Sequence, residues 1–397
     1  MGWFDGAVAR RNAEIAQQGR WRQVRTLAGG GPVTRCVADD RDVVQFASND
    51  YLGLATHPAL AEAAAHAAHH VGTGAGASRL IVGGREIHDE LELALAANWS
   101  PLLGPRTAAL LFPTGFAANL GTLATVVAAG GTADTLVLSD ELNHASIIDG
   151  ARLSRAEVEV FPHADLDALG RLLSRRRRSR AVVVSDMVFS MDGDVADAVA
   201  LAECCAVHDA VLVLDVAHDA FASLLAVADR VVDTGSTVVV VGTSSKTLGA
   251  LGGWLVAERA TVELALNTAR SFIFTTAPSP PDAAAALAAL KLLEGDEGQR
   301  LRARLRANVD RVAPGHPSPI VPLLLGAEER ALEVSAALLE DGLLVPAIRP
   351  PTVAEGTCRL RIAVSAEHTP EQLDRLAEGL ARAGAPLPGH DDAAGPP

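Results

Sequence analysis

Between Thr107 and Gly242 six apolar runs alternate with helical stretches, and few architectures satisfy that pattern. The runs are TAALLF, TLVL, VEVF, AVVVSD, AVLVLD and TVVVVG; stretches such as GFAANLGTLATVVA and VALAECCAVHD lie between most of them. The runs are almost continuously apolar, as strands buried on both faces are. Strands separated by helices pair in parallel, because a hairpin needs only a short turn. The pattern predicts an α/β fold built on a doubly wound, mostly parallel sheet with helices on both faces.

The alternation stops after SFIFTTAPSPP, where consecutive prolines interrupt the chain. A long Ala-rich helix, a strand IVPLLL, a helix ERALEVSAALLEDG, strands LLVPAI and CRLRIAV, and a helix EQLDRLAEGLARAG follow. This predicts a smaller α+β C-terminal domain over residues 278–385, behind a large domain over 46–277 and an N-terminal helical segment over 1–45. An amphipathic helix is expected up to about Gly19. A second, HPALAEAAAHAAHHV, is expected with Thr56 as its cap and Pro58 in its first turn. Residues 386–397 are rich in Gly, Pro, Asp and Ala and read as a disordered tail.

With 49% hydrophobic and 21% charged residues the chain is globular. Its net charge of −14 argues against nucleic-acid binding and against docking on anionic membranes. The one basic cluster, Arg175 to Arg178, follows a helical stretch and reads as a solvated helix end. Cys36, Cys204, Cys205 and Cys358 show no CxxC spacing, which fits a reducing cytoplasmic setting better than a disulfide framework or a zinc site. The N-terminus lacks the apolar core of a signal peptide, and no run of about 18 apolar residues could cross a membrane.

Of the 34 basic residues only two are lysines. Lys291 lies in the helical stretch AALAALKLLEG and reads as solvated; Lys246 lies in TVVVVGTSSKTLGALGG, just past an apolar run. A chain that uses arginine almost everywhere and keeps one lysine in a Gly/Ser/Thr turn has a use for an amine there. An amine can lose its proton and form an imine; a guanidinium cannot. A nucleotide-binding P-loop is excluded, since that motif needs Gly directly before Lys and Ser245 stands there.

In open parallel sheets ligands bind beyond the carboxyl ends of the strands. Those ends carry Gly115 and Phe116, His144, Asp186 with Ser190 and Asp192, Asp215 with His218, and Thr243 with Lys246. Singly, each has an ordinary reading: a helix cap for Asp215, a structural imidazole for either histidine. Together they match the needs of pyridoxal 5′-phosphate. A carboxylate must keep the ring nitrogen protonated, a lysine must hold the aldehyde, and a flat group can cover the ring. Helix N-terminal amides and hydroxyls must hold the phosphate.

With these residues in place, the blocks FASNDYLGL, GTGAGASRLIVGG, LLFPTGFAANLG, LNHASIIDGARLS, VFSMDGD, LDVAH, TSSKTLGALGG, FIFTTAPSPP and AIRPPTVAEGTCRLRIAVS resemble, in order, the α-oxoamine synthases. These are fold-type I pyridoxal-phosphate transferases that condense an amino acid with an acyl thioester and lose CO2. The resemblance spans about Phe46 to Gly384, and AIRPPTV followed by GTxRLR is most similar to the branch that joins L-alanine to a pimeloyl thioester on the way to biotin. It implies a homodimer. It implies that Lys246 is the Schiff-base lysine and Cα proton shuttle, that Asp215 pairs with the ring nitrogen, and that His144 stacks on the ring. His218 and Ser190 then contact the phenolic-oxygen side. Gly115, Phe116, Thr243 and the partner subunit's Thr275 take the phosphate. Arg361, with Asn49, takes the amino-acid carboxylate, and Arg22 and Arg349 are candidates for acyl-chain or carboxylate contacts. Arg359 shares a strand face with Arg361 and could trade roles with it; the family pattern favours Arg361.

The chain departs from the family pattern at Val216, where an acid is common, and at Asp219, where Gly is common. The loop AFASLLAVADRVVDTGS lacks a Gly-rich run, and Ala75, Ala77 and Met187 replace Ser, Gly and Gly. These changes are expected near the acyl entry and the subunit contact. The acyl donor, carried on CoA or acyl-carrier protein, is therefore the open question, with another acyl thioester or glycine or serine as the rival substrates. A non-catalytic partner subunit is the rival of another class; Lys246, Asp215 and His144 argue against it.

Overall fold

The six runs, and a seventh strand that the sequence reading does not foresee, form one sheet in the computed structural model, which describes residues 2–38 and 40–387. Its strands are β1 (Thr107–Phe112), β2 (Thr135–Asp140), β3 (Glu157–Phe161), β4 (Arg180–Asp186), β5 (Ala210–Asp215), β6 (Thr237–Thr243) and β7 (Gly253–Glu258). Their order across the sheet is β1-β7-β6-β5-β4-β2-β3. Strands β2 to β6 pair in parallel, and β7 is inserted antiparallel between β1 and β6. The return through β7 is short because it follows directly on the turn that carries Lys246.

Successive residues of each strand feed opposite cores, as the period of two requires. Ala181 and Val183 of β4 pack into the layer shared with Leu95 and Leu287, while Val182 and Val184 join Leu123 and Val126 on the other face. The helices Glu86–Leu103 and Pro280–Glu294 cover the first face; Gly115–Gly130 and Arg259–Thr268 cover the second. Each buried Val or Leu contributes roughly 1.5–3 kcal/mol relative to an exposed one. No helix among the described residues is long and apolar enough to cross a membrane.

Strands Ile320–Gly326, Cys358–Ala363 and Ala347–Ile348 form a second, antiparallel sheet. The N-terminal region differs from the expected helical segment. One helix, Trp3–Gln17, forms and buries no side chain. Residues Leu27–Ala28, Val33–Cys36 and Arg41–Gln45 are strands, and they build a four-stranded sheet with Leu343–Leu344. The consequence for the site is direct. The Phe46 carbonyl accepts from the Ala363 amide at 2.9 Å, which ties the chain entering Asn49 and Tyr51 to the strand bearing Arg361.

Two further expectations need correction. The second helix, Pro58–His70, is capped by His57 and not by Thr56; the His57 Nδ1 accepts from the Ala59 amide at 3.2 Å. Thr56 ends the preceding 3-10 turn, Leu54–Thr56. The tail expected from residue 386 does not include Leu387, which is buried against the core. From residue 388 on, that expectation lies outside the described residues.

Candidate active site

Parallel pairing in register sets Asp186 beside Asp215 at the carboxyl edge of the sheet. Asp215 is buried, and both its oxygens are engaged: Oδ1 accepts from the Ala217 amide at 2.9 Å and Oδ2 from Asn119 Nδ2 at 2.7 Å. Asn119 is buried in the N-terminal part of the helix Gly115–Gly130 and donates also to Ser146 Oγ at 2.9 Å. Ser146 Oγ in turn lies 2.7 Å from His144 Nδ1. One hydrogen-bonded chain therefore fixes Asp215 and His144 relative to each other. Asp186 accepts from the His144 amide at 2.8 Å. Burial, and then the charge of Asp215, drive the Asp186 pKa well above the usual carboxylate range, since two adjacent buried carboxylates cannot both ionise cheaply.

Lys246 leaves the turn after β6 and reaches back over this edge. Its Nζ lies 2.7 Å from His218 Nε2, and His218 Nδ1 lies 2.6 Å from the Tyr51 hydroxyl. Burial lowers the Lys246 pKa; Asp215 and Asp186 oppose that, and Arg361 adds to it. Burial also lowers His218 well below its ordinary value, helped by Lys246, Arg361 and His144. His144 is lowered by burial and Lys246 against the pull of Asp215. The site thus holds neutral imidazoles beside an amine primed to lose its proton.

The helix Gly115–Gly130 starts opposite Thr243. Its cap, Thr114, accepts from the Ala117 amide at 3.1 Å, which leaves the Gly115 and Phe116 amides without partners inside the helix. A Cβ at position 115 would come within 3.0 Å of the Thr243 Cβ, so glycine keeps this notch open. The Thr243 hydroxyl bonds to the Gly252 carbonyl at 2.6 Å and lies 3.0 Å from Ser245 Oγ. Two orphan amides, a helix N-terminus and two hydroxyls make a seat for a phosphate. The notch, the buried carboxylate and the buried amine fit pyridoxal phosphate: Gly115, Phe116 and Thr243 would hold the phosphate, Asp215 the ring nitrogen and Lys246 the aldehyde.

The two arginines of the small sheet have different company. Arg359 forms an ion pair with Asp192. Arg361 has no carboxylate partner among the described residues. It donates to the Ser190 carbonyl and, through Nη2, to Asn49 Oδ1 at 3.0 Å and the Tyr51 oxygen at 3.4 Å. A buried guanidinium bonded only to neutral groups is a site for an incoming carboxylate.

The remaining expected residues are less close. Ser190 meets the cluster through its carbonyl on Arg361, not through its hydroxyl. Thr275 lies half-buried in the turn after the helix Arg270–Ile273, with no hydrogen bond to the cluster. Arg22 and Arg349 share a separate cavity of about 240 Å³, where Arg349 is bound to Glu328 and the Gly19 carbonyl. Neither is hydrogen-bonded to the Lys246 cluster. The sequence reading did not single out Tyr51 or Asn119. Tyr51 had a signal, being the only tyrosine in the chain; Asn119 had none beyond its place in the LLFPTGFAANLG block.

The departures fall in three places. Val216 and Met187 are buried behind the site, their amides bonded to Val241 and Asp215 carbonyls at 2.8 Å each. Asp219 caps the helix Ser223–Ala226, accepting from the Ser223 and Leu224 amides at 2.7 and 3.0 Å. That loop walls a cavity of about 470 Å³ with Trp99, Trp254 and Leu290, next to Thr243. Ala75 and Ala77 lie elsewhere, the Ala77 carbonyl accepting from the Ala277 amide at 3.0 Å near Thr275.

Comparison with known proteins gives the same constellation a context. The family model for aminotransferase class I and II matches residues 41–380. An 8-amino-7-oxononanoate synthase of Bordetella petrii is 46% identical over 360 residues, covering 86% of this chain and 88% of that protein. One from Geobacter sulfurreducens is 41% identical over 397 residues, covering 96% and 98%. Among solved structures, Sphingomonas wittichii serine palmitoyltransferase superposes with a TM-score of 0.83 at 27% identity, covering 96% of this chain and 97% of that one.

Proposed function

The chain belongs to the aminotransferase class I and II family and, within it, to the 8-amino-7-oxononanoate synthases, and from that membership we propose how its site makes this product. It is a pyridoxal-phosphate-dependent acyltransferase of biotin biosynthesis. The reaction joins L-alanine to a pimeloyl thioester, carried on CoA or acyl-carrier protein, and releases CO2 and the thiol. Bound pyridoxal phosphate supplies an aldehyde that takes up the amino acid and a ring that withdraws electrons from its Cα.

The chain's own residues do the rest. Lys246 would hold the aldehyde of the bound cofactor. Burial favours its neutral amine form, which would remove the alanine Cα proton and later return one to the same carbon. Asp215, pinned by Asn119 and the Ala217 amide, keeps a proton on the ring nitrogen. His144 would cover one face of the bound ring, and His218 would stand on its phenolic-oxygen side. The Gly115 and Phe116 amides and the Thr243 hydroxyl hold the phosphate, joined by the partner subunit's Thr275. Arg361 and Asn49 hold the alanine carboxylate, which orients the Cα–H bond toward Lys246. Ser190 shapes that subsite through its carbonyl. Arg22 and Arg349 serve the far end of the acyl chain.

The observation that carries this reading is Lys246 Nζ at 2.7 Å from His218, inside a buried cluster with Asp215 on the neighbouring strand end. We take the working form to be a cytoplasmic homodimer with sites at its interface. The exposed turn Leu80–Val82, with Ile81 75% accessible, supports a covering second copy. Steady-state assays with alanine, glycine and serine against pimeloyl and other acyl thioesters test the substrate assignment. Alanine with a pimeloyl donor is expected to give the highest kcat/KM. If pimeloyl donors are inert while another acyl chain turns over, the biotin assignment falls.

A further inference from the structure

Tyr51 is the only tyrosine of the chain and is fully buried. Its hydroxyl has one proton and two acceptors to choose from: His218 Nδ1 at 2.6 Å and Asn49 Oδ1 at 3.1 Å. Arg361 Nη2 donates to the same oxygen from 3.4 Å. Burial, partly offset by Arg361, pushes the phenol up to about 12, so the proton stays on the oxygen near neutrality.

Where that single proton goes fixes the tautomer of His218. If Tyr51 donates to Nδ1, the neutral imidazole carries its own proton on Nε2. Nε2–H then points at Lys246 Nζ 2.7 Å away and needs a lone pair there, which only the free amine has. If Tyr51 donates to Asn49, the imidazole proton moves to Nδ1, and Nε2 accepts from Lys246, favouring the ammonium. Asn49 Oδ1 already accepts from Arg361 Nη2 at 3.0 Å, whereas His218 Nδ1 has only the Tyr51 hydroxyl facing it, which favours the first arrangement. We propose that Tyr51 is a positioning residue that, through the His218 tautomer, presents Lys246 as a free amine.

The inference rests on the assignment of Lys246 as the cofactor-binding lysine. Other groups facing Lys246 are Asp215, Asp186, His144 and Arg361, and those facing His218 are Arg361 and His144. All of them remain when Tyr51 is altered, so a change in the lysine reports on the relay. Because the chain has two lysines and one tyrosine, the tyrosine end of the relay can be labelled at one site and the lysine end at two.

The test uses the full chain freed of cofactor and labelled with 13C at lysine Cε. Two resonances result, with Lys291 as the internal reference. In Tyr51→Phe, His218 Nδ1 loses its donor, and the Lys246 titration midpoint is expected to rise by about one pH unit, the equivalent of one hydrogen bond. Incorporation of 3-fluorotyrosine alters only position 51. Its more acidic phenol is a stronger donor, so the midpoint is expected to fall. Opposite shifts support the relay, since a merely structural disturbance would not reverse sign. Midpoints unmoved in both proteins, or moved the same way, overturn it. Should Tyr51→Phe fail to fold, the fluorinated protein decides alone, by a fall or its absence. The measurement needs no bound cofactor, so its failure leaves the cofactor reading standing, while failure of cofactor attachment at Lys246 is a separate result.

Discussion

Arg359 and Arg361 stand two positions apart on one strand, yet the fold gives them separate tasks. Arg359 is neutralised by Asp192, and Arg361 waits among neutral acceptors. Arg361→Lys keeps the charge but loses the fork; we expect the KM for alanine to rise roughly 10–100-fold, the worth of about 1.5–3 kcal/mol for a hydrogen bond to a charged group. Arg359→Ala should leave that KM nearly unchanged and lower stability instead. Asp192 is partly exposed, so the cost belongs near or below the lower end of the ~3–5 kcal/mol typical of broken buried pairs. Kinetics and urea unfolding of the two variants separate these outcomes; equal KM effects would remove the assignment of roles. At this scale the sequence was readable where chemistry is rare. Lys246, Asp215 and both histidines stand at strand ends in an unusual composition. Tyr51 and Asn119 act through partners 167 and 96 residues away, and such pairings exist only once the chain has folded.

Among elements, the loop after β4 carries most of the site's geometry, since Ser190 and Met191 offer carbonyls and Asp192 a carboxylate to the two arginines. His163 anchors it. The ring bridges Asp140 at the end of β2 at 3.0 Å and Asp194 in the loop at 2.8 Å. Gly193 closes the turn at φ 72°, where a Cβ would strike the Ile320 carbonyl. Burial disfavours the His163 cation, but hydrogen bonds and charge from Asp140 and Asp194 outweigh it and raise the pKa. A raised folded-state pKa means stability present in full below the unfolded value of about 6.5 and lost as pH rises through the folded one. The stability gap between wild type and His163→Gln should therefore be widest near pH 5.5 and narrow toward pH 8.5. A gap that does not change with pH would mean the bridge is not ionic. A Thr114→Ala change should cost about 1 kcal/mol of stability by removing the cap of the helix that seats the phosphate, measurable by thermal or urea unfolding. The parallel core strands were legible because continuous apolar runs bounded by turns have few alternatives. Strand β7 was not, because it follows the lysine turn with no helix to announce it. The N-terminal strands were missed because they are two to five residues long, and the sheet they form is completed by Leu343–Leu344, which pairs with Arg41–Gln45 from some 300 positions away.

At the scale of the molecule, the carboxyl edge of a parallel sheet gathers groups from five strand ends, and the small sheet closes over them with Arg361. The turn Leu80–Val82 and Phe274 leave apolar surface that a second copy would cover. Light scattering is expected to give twice the chain mass of 41.1 kDa, with Ile81→Glu shifted toward monomer; a monomeric wild type would remove the interface reading. The central claim is that one amine, Lys246, holds the cofactor over Asp215. The most direct test is borohydride reduction of the pyridoxal-phosphate-loaded protein, followed by peptide mass spectrometry. With only two lysines in the chain, the result is binary. The account predicts the pyridoxyl mass on the peptide containing Lys246 and none on that containing Lys291, with the label abolished in Lys246→Ala. Label on Lys291, or an unlabelled Lys246 in a folded and loaded protein, would contradict it.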